Sequence, residues 1–180
     1  MKKALIVVDY QKDFVDGSLG FPGAEKLDHL IKKKIESYQL QNYDVIFTLD
    51  THKENYLDTQ EGKKLPIPHC IEHTPGWELY GETAGYCDDH TVTFYKPTFG
   101  SLELANFLRE ERYDEVELVG LVSNICVLSN AVLAKAALPE AIITVDASCT
   151  ASADPVLHQK ALDLLENLQI NVICSDKDIS

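Results

Sequence analysis

The sequence predicts a three-layer α/β/α fold, in which helices cover both faces of a six-stranded, mainly parallel, Rossmann-like sheet. Two observations predict this fold. Short apolar runs rich in β-branched residues alternate with segments of helical periodicity along most of the chain. The 180 residues are 45% hydrophobic and contain no internal repeat and no Gly/Ser linker. We therefore expect a single domain over residues 1–180 with a full core.

Six apolar runs are interpreted as strands because each has the length of one strand in a buried sheet. They are Ala4–Asp9, Asp44–Asp50, Thr91–Lys96, Val116–Leu121, Ala141–Asp146 and Ile170–Ser175. Helical spacing of apolar residues predicts helices at residues 24–40, 102–110, from about 123 to 135, and 155–168. Strands that alternate with helices imply right-handed crossovers and parallel pairing.

The segment from about residue 51 to residue 90 interrupts this alternation. It joins the second and third predicted strands and is too long for an ordinary connection in a compact domain. Loops of this length are usually functional, so we expect the segment to contribute to a metal or substrate site.

The net charge of the chain and the length of its apolar segments argue against two classes of partner, nucleic acids and membranes. The formal net charge of −13 argues against a nucleic-acid partner, which would need clustered Lys and Arg. No segment approaches the ~18 apolar residues of a membrane span, so no membrane partner is expected. The apolar run in "MKKALIVVDY" is too short for a signal peptide, and a cytoplasmic location is expected. Five scattered cysteines without C-x-x-C spacing argue against a disulfide framework.

Polar residues at the ends of the predicted strands indicate where a site lies. Ligands of open α/β sheets bind beyond the carboxyl ends of the strands. Asp9 ends the first strand, Lys96 ends the third, and Cys126 follows the fourth in the first turn of a helix. Asp146 ends the fifth strand and is interpreted as a cap of the next segment.

The three residues Asp9, Lys96 and Cys126 suit the chemistry of a cysteine hydrolase. A helix amino terminus and an ammonium group both stabilise a thiolate. A carboxylate can take the thiol proton and later deliver it to a leaving group. Free N–H groups of the turn "GLVSNIC" can bind an oxyanion. Taken singly, each residue has a structural alternative: a buried thiol, a strand-end acid or a surface lysine.

The long segment offers candidate metal ligands. Asp50 and His52 have D-x-H spacing, which directs both side chains to one side of an extended segment. Glu61 and His69 follow in the same segment. Histidine and carboxylate ligands suit zinc, iron or manganese, and zinc is the first expectation.

The sequence resembles the isochorismatase-like cysteine hydrolases, and within them the nicotinamidases, also called pyrazinamidases. The blocks that carry the resemblance are "ALIVVDYQKDFVDGSLGFPGAEKL", "DTH", "PHC", "YKPTFGS" and "GLVSNICV". Together they cover nearly the whole chain. Within the superfamily, the combination of D-x-H with P-H-C points to the nicotinamidases.

This resemblance implies that Asp9, Lys96 and Cys126 form a catalytic triad, and it gives each residue a role. Cys126 would attack the carboxamide of nicotinamide, Asp9 would act as base and then as acid, and Lys96 would orient the pair. A cis peptide would join Leu121 and Val122. The backbone N–H groups of Val122 and Cys126 would form the oxyanion hole.

The resemblance also assigns the metal and substrate contacts. The ligands of a divalent metal map to Asp50, His52 and His69, with Glu61 as the fourth; Asp58, or water alone, is the alternative. Phe14 matches an aromatic residue that packs on the substrate ring. Relatives commonly form dimers or larger assemblies, so a homo-oligomer is expected.

One departure from the nicotinamidase pattern keeps other functions open. Pro66 stands where many nicotinamidases have an aromatic residue. An amidohydrolase of the same superfamily that acts on N-carbamoyl or ureido compounds is the first alternative. Such a substrate needs a basic site for its carboxylate, and the two arginines, Arg109 and Arg112, lie on or after a helix. A non-catalytic or redox-thiol protein on the same fold is the second alternative.

Overall fold

The computed structural model of the protein describes residues 1–175. Within that range one six-stranded sheet has the strand order β3-β2-β1-β4-β5-β6, and all five pairings are parallel. The strands are β1 (Lys3–Val8), β2 (Asp44–Asp50), β3 (Thr93–Lys96), β4 (Glu115–Leu121), β5 (Ile142–Ala151) and β6 (Asn171–Ile173). The predicted six-stranded α/β sheet is confirmed and is wholly parallel.

The helices cover both faces of this sheet. They are α1 (Lys12–Val15), α2 (Leu27–Leu40), α3 (Gln60–Lys64), α4 (Leu102–Glu111), α5 (Leu128–Ala137) and α6 (Pro155–Asn167). None of the helices in residues 1–175 is long and apolar enough to cross a membrane. Side chains of β1 alternate between the two faces, as the period of a strand requires. Ile6 lies in the core under α4, α5 and α6, and Leu5 lies in the core under α1 and α2.

The strand order reverses beside β1, which places a crevice at the carboxyl ends of β1 and β4. Val8 pairs with Thr48 of β2 and with Gly120 of β4. Gly120 has a φ of +107°, and a Cβ atom there would lie 2.1 Å from the carbonyl oxygen of Val8. A side chain at Gly120 would thus push the two strands apart where their ends form the crevice.

The structure corrects the prediction for Asp146. Strand β5 does not end there but continues to Ala151, after a register shift against β4 between Leu118 and Gly120. The Asp146 carboxylate is buried, accepts a hydrogen bond from the Ser148 hydroxyl at 2.6 Å and pairs with the Lys34 ammonium of α2 at 2.6 Å. The hydrophobic pattern predicted the end of the strand at Asp146 because a charged residue usually stops an apolar run. Here the carboxylate lies within the strand, because Lys34 from another element stabilises it.

The remaining differences concern element boundaries. Strand β1 ends at Val8, so Asp9 lies just beyond it, and β6 is shorter than predicted. The 51–90 segment contains α3 and three short 3₁₀ turns rather than being without structure. The helix predicted from about residue 123 begins with one π-helical turn, Ser123–Val127, before α5. Such turns are frequent at functional sites.

Candidate active site

Asp9 lies at the carboxyl end of β1 with its side chain fully buried. Its φ of +45° is in the left-handed region, which aspartate tolerates better than most residues. Its N–H donates to the Thr48 carbonyl at 3.0 Å, and the Thr48 hydroxyl donates to Asp9 Oδ1 at 2.6 Å. Burial raises the pKa of Asp9, although the Lys96 ammonium opposes the shift. The carboxyl group is therefore easier to protonate than an exposed aspartate.

Lys96 ends β3, and only 1% of its surface is exposed. Its Nζ lies 2.5 Å from Asp9 Oδ2, 3.5 Å from Cys126 Sγ and 3.5 Å from Asp50 Oδ1. It also donates to the Thr98 carbonyl at 3.0 Å. Burial opposes the charge, but the negative groups around the ammonium raise the pKa of Lys96. The lysine is thus a buried cation held between two carboxylates and a thiol.

Cys126 lies in the π-helical turn after β4 and is 4% exposed. Burial raises its pKa well above the ordinary value, and Lys96 lowers it only in part. Desolvation therefore opposes the stabilisation of a thiolate by the helix end and by the lysine. A base that takes the thiol proton, such as Asp9, would offset this cost.

The turn that carries Cys126 has an unusual backbone. The peptide bond Leu121–Val122 is cis, as the resemblance implies. The N–H groups of Ile125 and Val127 both donate to the Val122 carbonyl, at 3.1 and 3.2 Å, and the N–H of Cys126 lies between them in the chain. From α6, His158 Nδ1 bonds the hydroxyl of buried Ser123 at 2.8 Å. The turn is therefore held both from within and from a neighbouring helix.

Four predicted metal ligands lie together beside the triad. Donor atoms of Asp50, His52, Glu61 and His69 all lie within 4.8 Å of one another. The two histidine Nε2 atoms lie 3.1 and 3.5 Å from Asp50 Oδ2, and 3.7 and 3.6 Å from Glu61 Oε1. Ligands ~2.05 Å from a tetrahedral metal would be about 3.3 Å apart, so the residues fit a divalent ion. Asp58 is exposed and does not belong to this group.

Charges and hydrogen bonds within this group also suit a cation. Burial and the Asp50 charge raise the pKa of Glu61. Burial opposes the change, but bonds from both histidines lower the pKa of Asp50. His69 Nδ1 lies 2.8 Å from the Ile67 carbonyl; as the donor in this bond, it leaves Nε2 free for a metal. A cation would relieve the repulsion between the buried Asp50 carboxylate and the half-buried Glu61 carboxylate.

Aromatic rings surround the two histidines. The Tyr56 ring centroid lies 4.7 Å from that of His52 and 5.0 Å from that of His69, and the Tyr56 hydroxyl donates to the Leu65 carbonyl at 2.9 Å. The Phe14 ring lies 5.6 Å from His69. Phe14 is thus beside the candidate metal group, where a ring-shaped ligand held there would meet it.

Several polar residues of the site were missed by the sequence analysis. Thr48 holds Asp9, and the Gln11 amide bonds both the N–H and the carbonyl of Asp50, at 2.8 and 2.9 Å. Asn130 bonds the Cys126 carbonyl. Thr48 precedes Asp50 by two residues on one strand, so strand periodicity could have placed it on the same side. Nothing in the local sequence indicated the partners of Gln11 and Asn130.

Comparison with known proteins places this geometry in a family. The family model described as "Isochorismatase domain" matches residues 3–177. The chain belongs to the isochorismatase family. Its structure is similar to that of the pyrazinamidase/nicotinamidase from Streptococcus mutans UA159, with a TM-score of 0.85. The two sequences are 33% identical, and the match covers 96% of this chain and 100% of that one.

Two further relatives represent different substrates. The nicotinamidase/pyrazinamidase of Mycobacterium tuberculosis is 26% identical, over 96% of this chain and 99% of that protein. The N-carbamoylsarcosine amidase structure from Thermoplasma acidophilum has a TM-score of 0.82 and 27% identity, over 98% of each chain. The chain is therefore similar to proteins named for both activities that the sequence analysis left open.

Proposed function

We propose that this protein is a nicotinamidase, which hydrolyses nicotinamide to nicotinate and ammonia through a thioester on Cys126. The observation that carries the proposal is the position of one buried ammonium. Lys96 Nζ contacts Asp9, Cys126 and Asp50, and thereby joins an acid–thiol pair to a group of candidate metal ligands. The relatives named nicotinamidase support the choice of substrate.

In the first half of the proposed reaction, Asp9 accepts the thiol proton and Cys126 Sγ attacks the carboxamide carbon. The N–H groups of Val122 and Cys126 are the proposed donors to the oxyanion that forms. Asp9 then gives its proton to the amide nitrogen, the C–N bond breaks, and ammonia leaves. The raised pKa of Asp9 suits a group that must carry a proton between two steps.

In the second half, the thioester is hydrolysed. Asp9 takes a proton from water as the water oxygen attacks the thioester carbon, and the same N–H groups hold the oxyanion. The C–S bond breaks, and Cys126 recovers its proton from Asp9. Lys96 stays charged throughout and stabilises whichever of Asp9 and Cys126 is the anion.

Asp50, His52, Glu61 and His69 are the proposed ligands of a divalent metal, with zinc as the first expectation and iron or manganese as alternatives. When bound, the metal supplies a Lewis-acid anchor for the pyridine nitrogen. Phe14, beside His69, is proposed to pack on the substrate ring and so to orient the carboxamide toward Cys126.

The test is release of ammonia from nicotinamide by the purified protein. We expect release by the wild type and none by Cys126→Ala. Cys87→Ala, which removes a half-buried thiol that bonds Thr93, is the matched control and should remain active. An inactive wild type, or an active Cys126→Ala variant, would contradict the proposal.

An N-carbamoyl substrate is the weaker candidate. Its carboxylate would need a basic partner, and the arginines of the chain do not offer one near the site. Arg109 is an exposed residue of α4 that bonds Asn106, and Arg112 borders a surface cavity with Met1 and Pro139 near the amino ends of the strands. Release of ammonia from an N-carbamoyl amino acid but not from nicotinamide would reverse this order.

We further propose that the enzyme works in the cytoplasm, returns nicotinamide to NAD synthesis and forms a homo-oligomer. The five cysteines are all free, and a reactive thiol of this kind persists best in a reducing compartment. Sedimentation equilibrium measures the oligomeric state directly, and a monomer at micromolar concentration would exclude the homo-oligomer.

A further inference from the structure

Asn130 is a buried amide whose side chain bonds three backbone groups. It lies on α5, four residues after Cys126, and is 1% exposed. Its Nδ2 donates to the Cys126 carbonyl at 2.8 Å and to the Phe99 carbonyl at 3.0 Å, and its Oδ1 accepts from the Ser101 N–H at 2.9 Å. The two carbonyls need the amide NH₂ group as a donor, and the N–H needs the amide oxygen as an acceptor. Only one orientation of the Asn130 amide therefore satisfies all three groups.

These bonds join the nucleophile to the segment that carries the lysine. Lys96 Nζ donates to the Thr98 carbonyl, one residue before Phe99. Gly100, between the two residues that Asn130 holds, is so close to α5 that a Cβ there would lie 2.7 Å from Leu133 Cδ1. The backbone after Lys96 is therefore pressed against α5 and fastened to it through Asn130.

We propose that Asn130 is a positioning residue that sets the separation of the Lys96 ammonium and the Cys126 sulfur. Asn130 bonds the carbonyl of Cys126 and the backbone just after Lys96. It contacts neither the Cys126 sulfur nor the Lys96 ammonium. The 3.5 Å between Nζ and Sγ then depends on a bridge between two elements rather than on either element alone. The turnover part of this inference rests on the proposed amidase function, whereas the geometric part does not.

The experiment compares Asn130→Ser with the wild type. A serine hydroxyl can still bond the Cys126 carbonyl within the helix, but it cannot bridge to Phe99 and Ser101. We expect kcat for nicotinamide to fall by between about ten- and a hundredfold with KM within about twofold, because small displacements of reacting groups cost rate rather than binding. We also expect slower alkylation of Cys126 by iodoacetamide, measured by mass spectrometry of its peptide, because a more distant Lys96 stabilises the thiolate less.

Thr83→Val is the matched control. It removes a buried hydrogen bond to Asp28 of α2, which contacts none of the catalytic groups, so it should keep wild-type kcat and alkylation rates. If Asn130→Ser does not fold, Asn130→Thr fills more of the space and is judged by the same two rates. Wild-type values of both rates in a folded Asn130 variant would overturn the proposal. Faster alkylation would also overturn it, because that result is expected if the substitution only makes the buried Cys126 more accessible. If the wild type does not hydrolyse nicotinamide, the proposed function fails, and the alkylation rates still decide the role of Asn130.

Discussion

The Lys96 ammonium lies 3.5 Å from Asp50 Oδ1 and so connects the nucleophile with the candidate metal group. The same nitrogen contacts Asp9 and Cys126. Two carboxylates and a thiol therefore share one buried cation. Because charges in such a site interact strongly, a change on one side alters the protonation of the other.

Replacing Lys96 with methionine should damage both stability and activity. The substitution keeps the volume of the side chain but leaves Asp9 buried without its cation, which costs about 3–5 kcal/mol of unfolding free energy. It also removes stabilisation of the thiolate, and kcat/KM should fall by about 10²-fold or more. Urea unfolding and ammonia release measure the two effects. Lys135→Met, whose ammonium bonds only the Pro139 carbonyl, is the control and should change stability by less than ~0.5 kcal/mol.

Removal of the metal should abolish activity on nicotinamide. We expect the purified protein to contain one divalent ion per chain, chelation to inactivate it, and zinc to restore it. Elemental analysis and calorimetric titration of the chelated protein measure stoichiometry and affinity. Asp50→Ala should lose the metal, whereas His73→Ala should keep it, since the His73 side chain is 80% exposed and outside the group. Full activity of metal-free protein would refute this role.

The fourth ligand can be tested separately. Glu61→Gln should weaken zinc binding by about 10–100-fold, because it removes a charged oxygen 3.6–3.7 Å from both histidine nitrogens. Asp58→Asn, an exposed change in the same segment, should leave the affinity unchanged. Equal affinities for both variants would exclude Glu61 as a ligand.

Three glycine substitutions should separate steric overlap from backbone strain. Gly120→Ala should be strongly destabilising, by ~3 kcal/mol or more, because it combines a left-handed φ with a contact of 2.1 Å to Val8. Gly23→Ala, with a φ of +98° and open space, should cost only about 1–2 kcal/mol. Gly85→Ala has open space and no left-handed φ, and it should be nearly neutral. Thermal unfolding measures all three, and equal values for Gly120→Ala and Gly23→Ala would show that the strand contact is unimportant.

Asp146 should contribute to stability in a pH-dependent way. Burial opposes ionisation, but bonds from Lys34 and Ser148 lower its pKa to about 2, against ~3.9 in an unfolded chain. Because the folded pKa is the lower one, the contribution is present above about pH 4 and is lost as the pH falls toward 2. Its size is about 2 kcal/mol. Urea unfolding of Asp146→Asn between pH 6 and 3 should show an acid-dependent slope smaller than that of the wild type, and an unchanged slope would contradict the assignment.

Much of the site was predictable because its residues follow strands. Asp9, Asp50 and Lys96 stand where apolar runs stop, and parallel strands bring their carboxyl ends to one edge. Cys126 follows from the next strand by the same rule. His69 and Glu61 were candidates only because their residue types occur in the long segment between β2 and β3. No period there predicts where they lie, and the resemblance to a family assigned them as ligands.

The sequence by itself determined the fold class, the strand ends and the residues that converge there, because hydrophobic periodicity is a local property. Tertiary structure decided the rest. The ion pair between Asp146 and Lys34 joins two elements that lie far apart in the chain. The hydrogen bonds of Asn130 do the same. The protonation of Cys126 also depends on the whole packing, since desolvation is set by every atom that excludes water from the thiol, whatever its place in the sequence.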